Sequence, residues 1–572
     1  MIPEVHRDLI DGIPVLRADS PGGRSGAMLT FRVGRFDETL PSSGITHLVE
    51  HLTLSGPDRP GYEFNAEVSG RLTTFYMEGP APSDVASFVA RVCRGLAADH
   101  SSRLDQEKRV LRTEAASRGG PGALGSCLIE RYGATGPGLA GYQEFGLRKL
   151  TWEQVAAWRD RWFVAGNAVL CVLGEIPAGL RIELPPGRAP EMPALHPCDI
   201  RLPCFTVTGR GGIGMSLVGP GLLASSVTLN VLQQRLSTQL RHDRGLAYSV
   251  NLAGEHLDAG LRHAWVAADA LPEQAPMAAH VMLDTFEKLA GGGATAEEIT
   301  DYSRRLQDIY ASPAGPTVVL RRQAENILTA RPLRDPAETL RLTGELTGDA
   351  IAAAAAGLYA SMIMATPGFL PAVQGRMHQI RPWSATRVEG GVDYRSRDSA
   401  ATLTVGERGV MLSPEPERFV TVPSDQVAAL LKWNDGTLTL VGTNGFRIQL
   451  DPAEWDGAGD ALRALEAGTD PGLIVAIDSP GPAGVNPAAP APAAPAATGP
   501  ARPATRRWSR WRTFWVVTAA WLVCLVFAVL YKNAVLAFGV WLGAVFTFST
   551  LLRRARVRLA RARRRRRQRR LG

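Results

Sequence analysis

The chain has 572 residues, 45% of them apolar and 21% charged, which is too long for one hydrophobic core and too apolar for wholesale disorder. Its formal net charge of +8 hides an asymmetry, because residues 501–572 hold 18 Lys and Arg with no Asp or Glu, and the residues ahead of them carry 45 basic against 55 acidic side chains. An acidic body of this kind gives no support for the basic groove that nucleic-acid binding requires, and no nucleic-acid partner is expected.

The opening MIPEVHRDLIDGIPV has neither a basic n-region nor a continuous apolar run, so no secretory signal is expected. Cys93, Cys127, Cys171, Cys198, Cys204 and Cys524 show no CxxC spacing, which speaks against a disulfide framework or a cysteine zinc site. Residues 1–375 read as strands with intervening helices, an α+β pattern, divided by a proline-rich stretch from Pro177 to Pro203. The passage FYMEGPAPSDVASFVARVCRGLA from Phe75 and the passage WVAADALPEQAPMAAHVMLDTFEKLA from Trp265 lie about 190 residues apart, an offset that suits a duplicated domain rather than a solenoid. Two homologous α/β sandwich domains are therefore expected, at 1–185 and 200–375.

Within the first of these, GITHLVEHLTLSG contains His47-Leu48-Val49-Glu50-His51. On a helix, positions 47 and 51 share a face with position 50 beside them, so that two imidazoles and a carboxylate converge. That set suits Zn²⁺, which takes histidine nitrogen at about 2.0–2.1 Å and needs a third protein ligand. The alternative is a helix with solvent-facing histidines. The corresponding helix of the second half, TLNVLQQRLSTQL, has no His/Glu pair, and Arg304 stands 190 residues after Glu114; one zinc per chain is expected.

Residues 395–478 read as strands (AATLTVG, RFVTVP, TLTLVG, FRIQL), with turn signals at Asn434-Asp435-Gly436 and Asn444-Gly445 and a closing helix at DALRALEA. This small β-rich unit is similar to pleckstrin-homology-like modules in strand order and terminal helix. Residues 479–505 form a Pro/Ala linker that cannot pack a core. Thr513–Tyr531 and Ala534–Leu552 are apolar runs of 19 residues each, close to the ~20 needed to cross a bilayer, so 513–552 is expected to be a transmembrane hairpin. Arg506, Arg507, Arg510 and Arg512 precede it and an arginine-rich tail, 553–572, follows. The positive-inside rule then puts both ends, and the folded domains, on the cytoplasmic side, with the tail against anionic lipid.

The first 375 residues also resemble the pitrilysin family of inverted-motif zinc metallopeptidases, which includes insulysin and the mitochondrial processing peptidases. The resemblance rests on HLVEH, FNAEVSGRLTTFYM, DQEKRVLRTE, WRDRWFVAGNAVLCVLGEIP and, in the second half, LSTQLRHDRGLAYSV, in the family's order and rough spacing. It implies that His47, His51 and Glu114 hold the metal, that Glu107 orients a ligand histidine, and that Glu50 is the general base. It further implies that Asn65 and Ala66 lie on a strand edge that takes an extended peptide, and that Arg241 and Tyr248 hold the substrate carbonyl. Only 62 residues separate His51 from Glu114, fewer than is common in the family. The implied function is a membrane-tethered metallopeptidase acting on unfolded peptides, with homo-oligomerisation left open; the alternative is a catalytically weak assembly or regulatory protein.

Overall fold

The structure is a computed structural model that describes residues 2–479 apart from 57–59, 119–121, 210–211 and 381–382. The predicted linker beyond Ser479, the apolar hairpin and the basic tail lie outside the described residues. Among the described residues no helix is long and apolar enough to cross a membrane.

Six strands form the first sheet: β1 (His6–Ile10), β2 (Ile13–Ala18), β3 (Ser25–Phe31), β4 (Glu63–Val68), β5 (Thr73–Gly79) and β6 (Ala168–Leu173), in the order β1-β2-β6-β3-β5-β4. Burial follows position. Central β3 is buried at every residue, whereas β4, at the edge, alternates exposed and half-buried residues, as expected of a strand with one neighbour and one packed face. The helices of this half are α1 (Ile45–Leu54), α2 (Pro82–Ala97), α3 (Leu104–Arg118), α4 (Ala123–Tyr132) and α5 (Trp152–Trp162). Leu48, Val49 and Leu52 of α1 join Phe88, Val89 and Val92 of α2 in one core with Leu29, Phe75 and Leu170 of the sheet.

The second sheet contains β7 (Cys204–Val207), β8 (Ile213–Pro220), β9 (Val250–His256), β10 (Leu261–Ala268), β11 (Ile363–Thr366) and β12 (His378–Gln379), in the order β12-β7-β11-β8-β10-β9. Its helices are α6 (Leu223–Leu236), α7 (Ala275–Gly292), α8 (Ala296–Ala311), α9 (Gly315–Leu328), α10 (Pro336–Gly344), α11 (Gly348–Ala360) and the short α12 (Pro371–Gln374). β7 pairs in parallel with β11 as β2 does with β6, and the remaining central pairs are antiparallel in both sheets. Each half lends a helix to the other. Leu320 and Ala324 of α9 pack on Leu16, Ala18, Val169 and Cys171 of the first sheet, while Cys127 of α4 packs with Cys204, Ile363 and Ala365 of the second. This exchange buries the second face of both sheets and explains why β6 and β11 are almost wholly apolar.

The β-rich region makes two four-stranded sheets. One is β13 (Gly391–Arg395), β14 (Thr402–Gly406), β15 (Gly409–Glu415) and β16 (Arg418–Pro423) in sequence order; the other takes β17 (Val427–Trp433), β18 (Leu438–Gly442), β19 (Arg447–Leu450) and β20 (Ile474–Ile477) in the order β19-β18-β17-β20. The turn glycines read from the sequence adopt positive φ, 85° at Gly436 and 84° at Gly445. One expectation is corrected. The helix α13 (Gly459–Gly468) does not close the unit, because β20 follows it and pairs in parallel with β17. A parallel partner needs a crossover connection, and α13 is that crossover. The pleckstrin-homology-like pattern with a terminal helix is therefore not what forms.

Candidate metal centre

Helix α1 starts from Gly44, held in the left-handed region at φ 90°. Its first free N–H groups are satisfied by a distant carboxylate: Glu38 accepts from Gly44 N at 2.8 Å and from Thr46 N at 3.0 Å. Burial pushes the Glu38 carboxyl up to about 7, against the lowering effect of those hydrogen bonds. The apolar residues Ile45, Leu48, Val49 and Leu52 face the core, and this fixes the rotation of the helix so that His47, Glu50 and His51 emerge together on the opposite side.

Helix α3 runs alongside and supplies two carboxylates seven residues apart, about 10.5 Å along a helix axis. Glu114 Oε2 lies 3.9 Å from His47 Nε2 and 3.7 Å from His51 Nε2. Glu107 Oε2 meets the other nitrogen of His51, Nδ1, at 3.4 Å. Glu50 Oε2 sits 3.8 Å from both Nε2 atoms. One ligand atom from each of His47, Glu50 and His51 lies within 4.8 Å of the others, close enough for the three to hold a metal ion.

The donor set fits zinc. Tetrahedral ligands about 2.1 Å from the ion stand ~3.4 Å apart, and the Nε2–Glu114 separations exceed this by only a few tenths of an ångström. Each histidine, moreover, has a carboxylate on Nδ1, the arrangement that keeps a proton there and leaves the Nε2 lone pair for a metal. For His51 that carboxylate is Glu107. For His47 it is Glu144, whose oxygens lie 3.2 and 3.3 Å from Nδ1 and which also pairs with Arg35 at 3.1 Å. Burial opposes charge on His47, but its hydrogen bond to Glu144 and the charges of Glu144, Glu50 and Glu114 outweigh it, and the pKa is raised. Glu114 also borders a shallow, open surface along α3, beside Arg109, Val110 and Thr113.

The structure thus brings together His47, Glu50, His51, Glu107 and Glu114. Asn65 and Ala66 lie on β4, the edge strand of the first sheet, and the Asn65 Oδ1 accepts from Ala66 N at 2.9 Å. Arg241, on a π-helical turn (Ser237–Asp243), stacks its guanidinium 5.3 Å from the ring centroid of Tyr248, which is 79% exposed. In the second half, Arg304 of α8 pairs with Asp301 at 2.7 Å. Sequence reasoning missed Glu144 and Glu38. Neither has a periodic or motif signal: Glu144 lies 97 residues from His47 in sequence, at the start of a single 3₁₀ turn, Phe145–Arg148.

No family model matches the chain. Two curated proteins, the chloroplastic stromal processing peptidases of Oryza sativa subsp. indica and subsp. japonica, are each 26% identical over 231 residues, covering 35% of this chain and 18% of their own length. This chain therefore matches less than a fifth of those relatives. Among solved structures, the peptidase M16 inactive domain from Pseudomonas fluorescens superimposes with a TM-score of 0.54 at 17% identity, over 64% of this chain and 99% of that one. The first half of the periplasmic protease PqqL from Escherichia coli gives 0.52 at 16% identity, over 64% of this chain and 94% of that one. At such identities the likeness speaks for fold alone, and over that 64% of the chain the fold matches the M16 peptidase domain.

Proposed function

We propose that the chain is a zinc-dependent peptidase that hydrolyses peptide bonds in unfolded peptides, one zinc per chain, held by His47, His51 and Glu114. The observation that carries the reading is the convergence of both Nε2 atoms on Glu114 Oε2 with Glu50 Oε2 beside them. Zinc, when bound, supplies Lewis acidity toward water and the scissile carbonyl. Glu50 takes the proton of the attacking water and passes it to the leaving amine. The free edge of β4 at Asn65 and Ala66 hydrogen-bonds an extended peptide as an added strand, which reads backbone more than side chains; Asn65 must release the Ala66 N–H for this. Arg241 and Tyr248 offer donors to the carbonyl oxygen as it gains charge. The hairpin at 513–552 tethers this unit to a membrane from the cytoplasmic side, with the arginine tail against lipid headgroups.

A second reading, a peptidase-like assembly or regulatory protein, draws on the fold neighbour described as an inactive domain. Elemental analysis of the purified chain together with cleavage of a pool of quenched peptides separates the two. Wild type with about one zinc and Glu50→Gln with the same zinc but turnover lowered at least about 100-fold is the expected result. Zinc without turnover in the wild type would favour the second reading, and loss of zinc from Glu50→Gln would show that Glu50 is a ligand and not the base.

A further inference from the structure

Glu144 is held from two sides. On one side the chain around it is pressed against the start of α1 at backbone distance. A Cβ on Gly44 would come within 2.9 Å of both Glu144 Cβ and Leu147 Cγ, and one on Gly146 within 2.6 Å of the Ser42 carbonyl carbon. Only glycine fits at either position, and the Gly146 N–H donates to Ser43 Oγ at 3.3 Å. Arg35 clamps the Glu144 carboxylate from a further direction.

On the other side lies the β-rich module. Tyr142 and Phe145, which flank Glu144, pack against Ala429 and Leu431 of β17 and Val475 and Ile477 of β20. Lys149 Nζ donates to the carbonyls of Pro471 at 3.2 Å, Gly472 at 2.7 Å and Ile474 at 2.9 Å, all at the entry to β20. The module is also seated on the end of α4, where Ala134 N donates to Thr443 O at 3.1 Å and a Cβ on Gly133 would overlap that same oxygen at 1.9 Å. Tyr142–Lys149 is therefore a layer between the metal helix and the β17–β20 sheet, and Glu144 is the residue in it that reaches His47.

We infer that Glu144 is a positioning residue for His47, and that the β-rich module holds Glu144 in place, so that docking of the module and the geometry of the metal centre are coupled. The inference rests on the zinc reading above. By accepting the Nδ1–H of His47, Glu144 fixes the ring plane and leaves the Nε2 lone pair directed at the position a metal would share with Glu114. The sheet behind Tyr142 and Phe145 keeps the segment from relaxing away, a role for residues 427–477 that requires no ligand of their own.

The test uses the full chain loaded with Co²⁺, reading the affinity and the visible d–d absorption bands, with unfolding temperature as a control for folding. Wild type should bind about one Co²⁺ with bands of low, near-tetrahedral coordination. Glu144→Ala should weaken binding about 10- to 100-fold and alter the bands, and Glu144→Gln, which keeps an acceptor oxygen, should recover part of both. Lys149→Met and the milder Val475→Ala, which touch only the module interface, should change the bands in the same direction by a smaller amount. Unchanged affinity and bands in Glu144→Ala would overturn the positioning role. Responses confined to the Glu144 variants, with Lys149→Met and Val475→Ala merely lowering the unfolding temperature, would overturn the coupling. A wild-type chain that takes up no cobalt would instead sink the zinc reading itself and the inference with it.

Discussion

Glu38→Gln separates the charge of a buried carboxylate from its hydrogen bonding. Glu38 is 6% exposed, and its pKa rises from 4.5 to about 7 on burial. The sign follows from proton counting. Between these values the folded chain holds a proton that the unfolded chain has released, so stability falls as pH rises from 4.5 to about 7 and is level above that. At about 1.36 kcal/mol per pKa unit the full span is ~3 kcal/mol. Glutamine carries no charge but retains only one acceptor oxygen for the two N–H groups at the start of α1, a loss of about 1 kcal/mol. The wild type should thus be the more stable protein near pH 4 by ~1 kcal/mol, and the variant the more stable near pH 8 by ~2 kcal/mol, with equality a little above pH 5. Thermal unfolding of both chains in chelator, followed by tryptophan fluorescence from pH 4 to 8, should show two curves that cross, with a separation of about 1 °C per kcal/mol for a chain of this size. Glu255, also pushed up to about 7 by burial, contributes the same slope to both proteins and cancels in the comparison. Parallel curves would refute the argument, since they would mean that Glu38 is as readily ionised in the fold as outside it.

Three further outcomes are expected. Because the pKa of His47 is raised, its proton competes with metal from a higher pH than an ordinary histidine would allow, so zinc affinity should already be falling as pH drops toward 6.5; titration calorimetry in buffers of different ionisation enthalpy would show proton release on binding, and its absence at that pH would count against the Glu144 contact. His263, buried with its Nε2 2.9 Å from Ser216 Oγ, has its pKa lowered to about 3, first by burial and then by Arg131 and Arg262. The unfolded chain alone takes up this proton, so His263 should make the protein lose stability as pH falls below 6.5, and a His263→Gln chain should show a shallower acid limb in the same unfolding series. Leu320→Ala in α9, a fully buried side chain against the first sheet, should cost about 2–5 kcal/mol and destabilise the metal-bearing half although the residue belongs to the other; a midpoint within 1 °C of wild type would contradict the exchange of helices.

How much was legible in the sequence depended on whether its signal was local. HLVEH is five consecutive residues, and a helix alone brings its three polar side chains to one face. The pair Glu107 and Glu114 sits two turns apart on another helix, so one segment carries both once the resemblance points to it. The duplicated α+β halves could be read because each repeats a strand, turn and helix of similar composition, and the turns at Gly436 and Gly445 because only a positive φ satisfies them. The strand Ile474–Ile477 after the last helix was not read from the sequence, and its parallel pairing with β17 turned a supposed terminal helix into a crossover.

Tertiary structure alone decided the rest. Glu144 reaches His47 across 97 residues and Glu38 caps α1 from outside the helix, and neither contact leaves a period or spacing in the sequence. The exchange of α4 and α9 between halves, and the seating of the β-rich module behind Tyr142 and Phe145, likewise depend on which apolar surfaces meet. Hydrophobic burial is non-directional, so a sequence specifies that such surfaces must be covered, and only the packed chain determines by what.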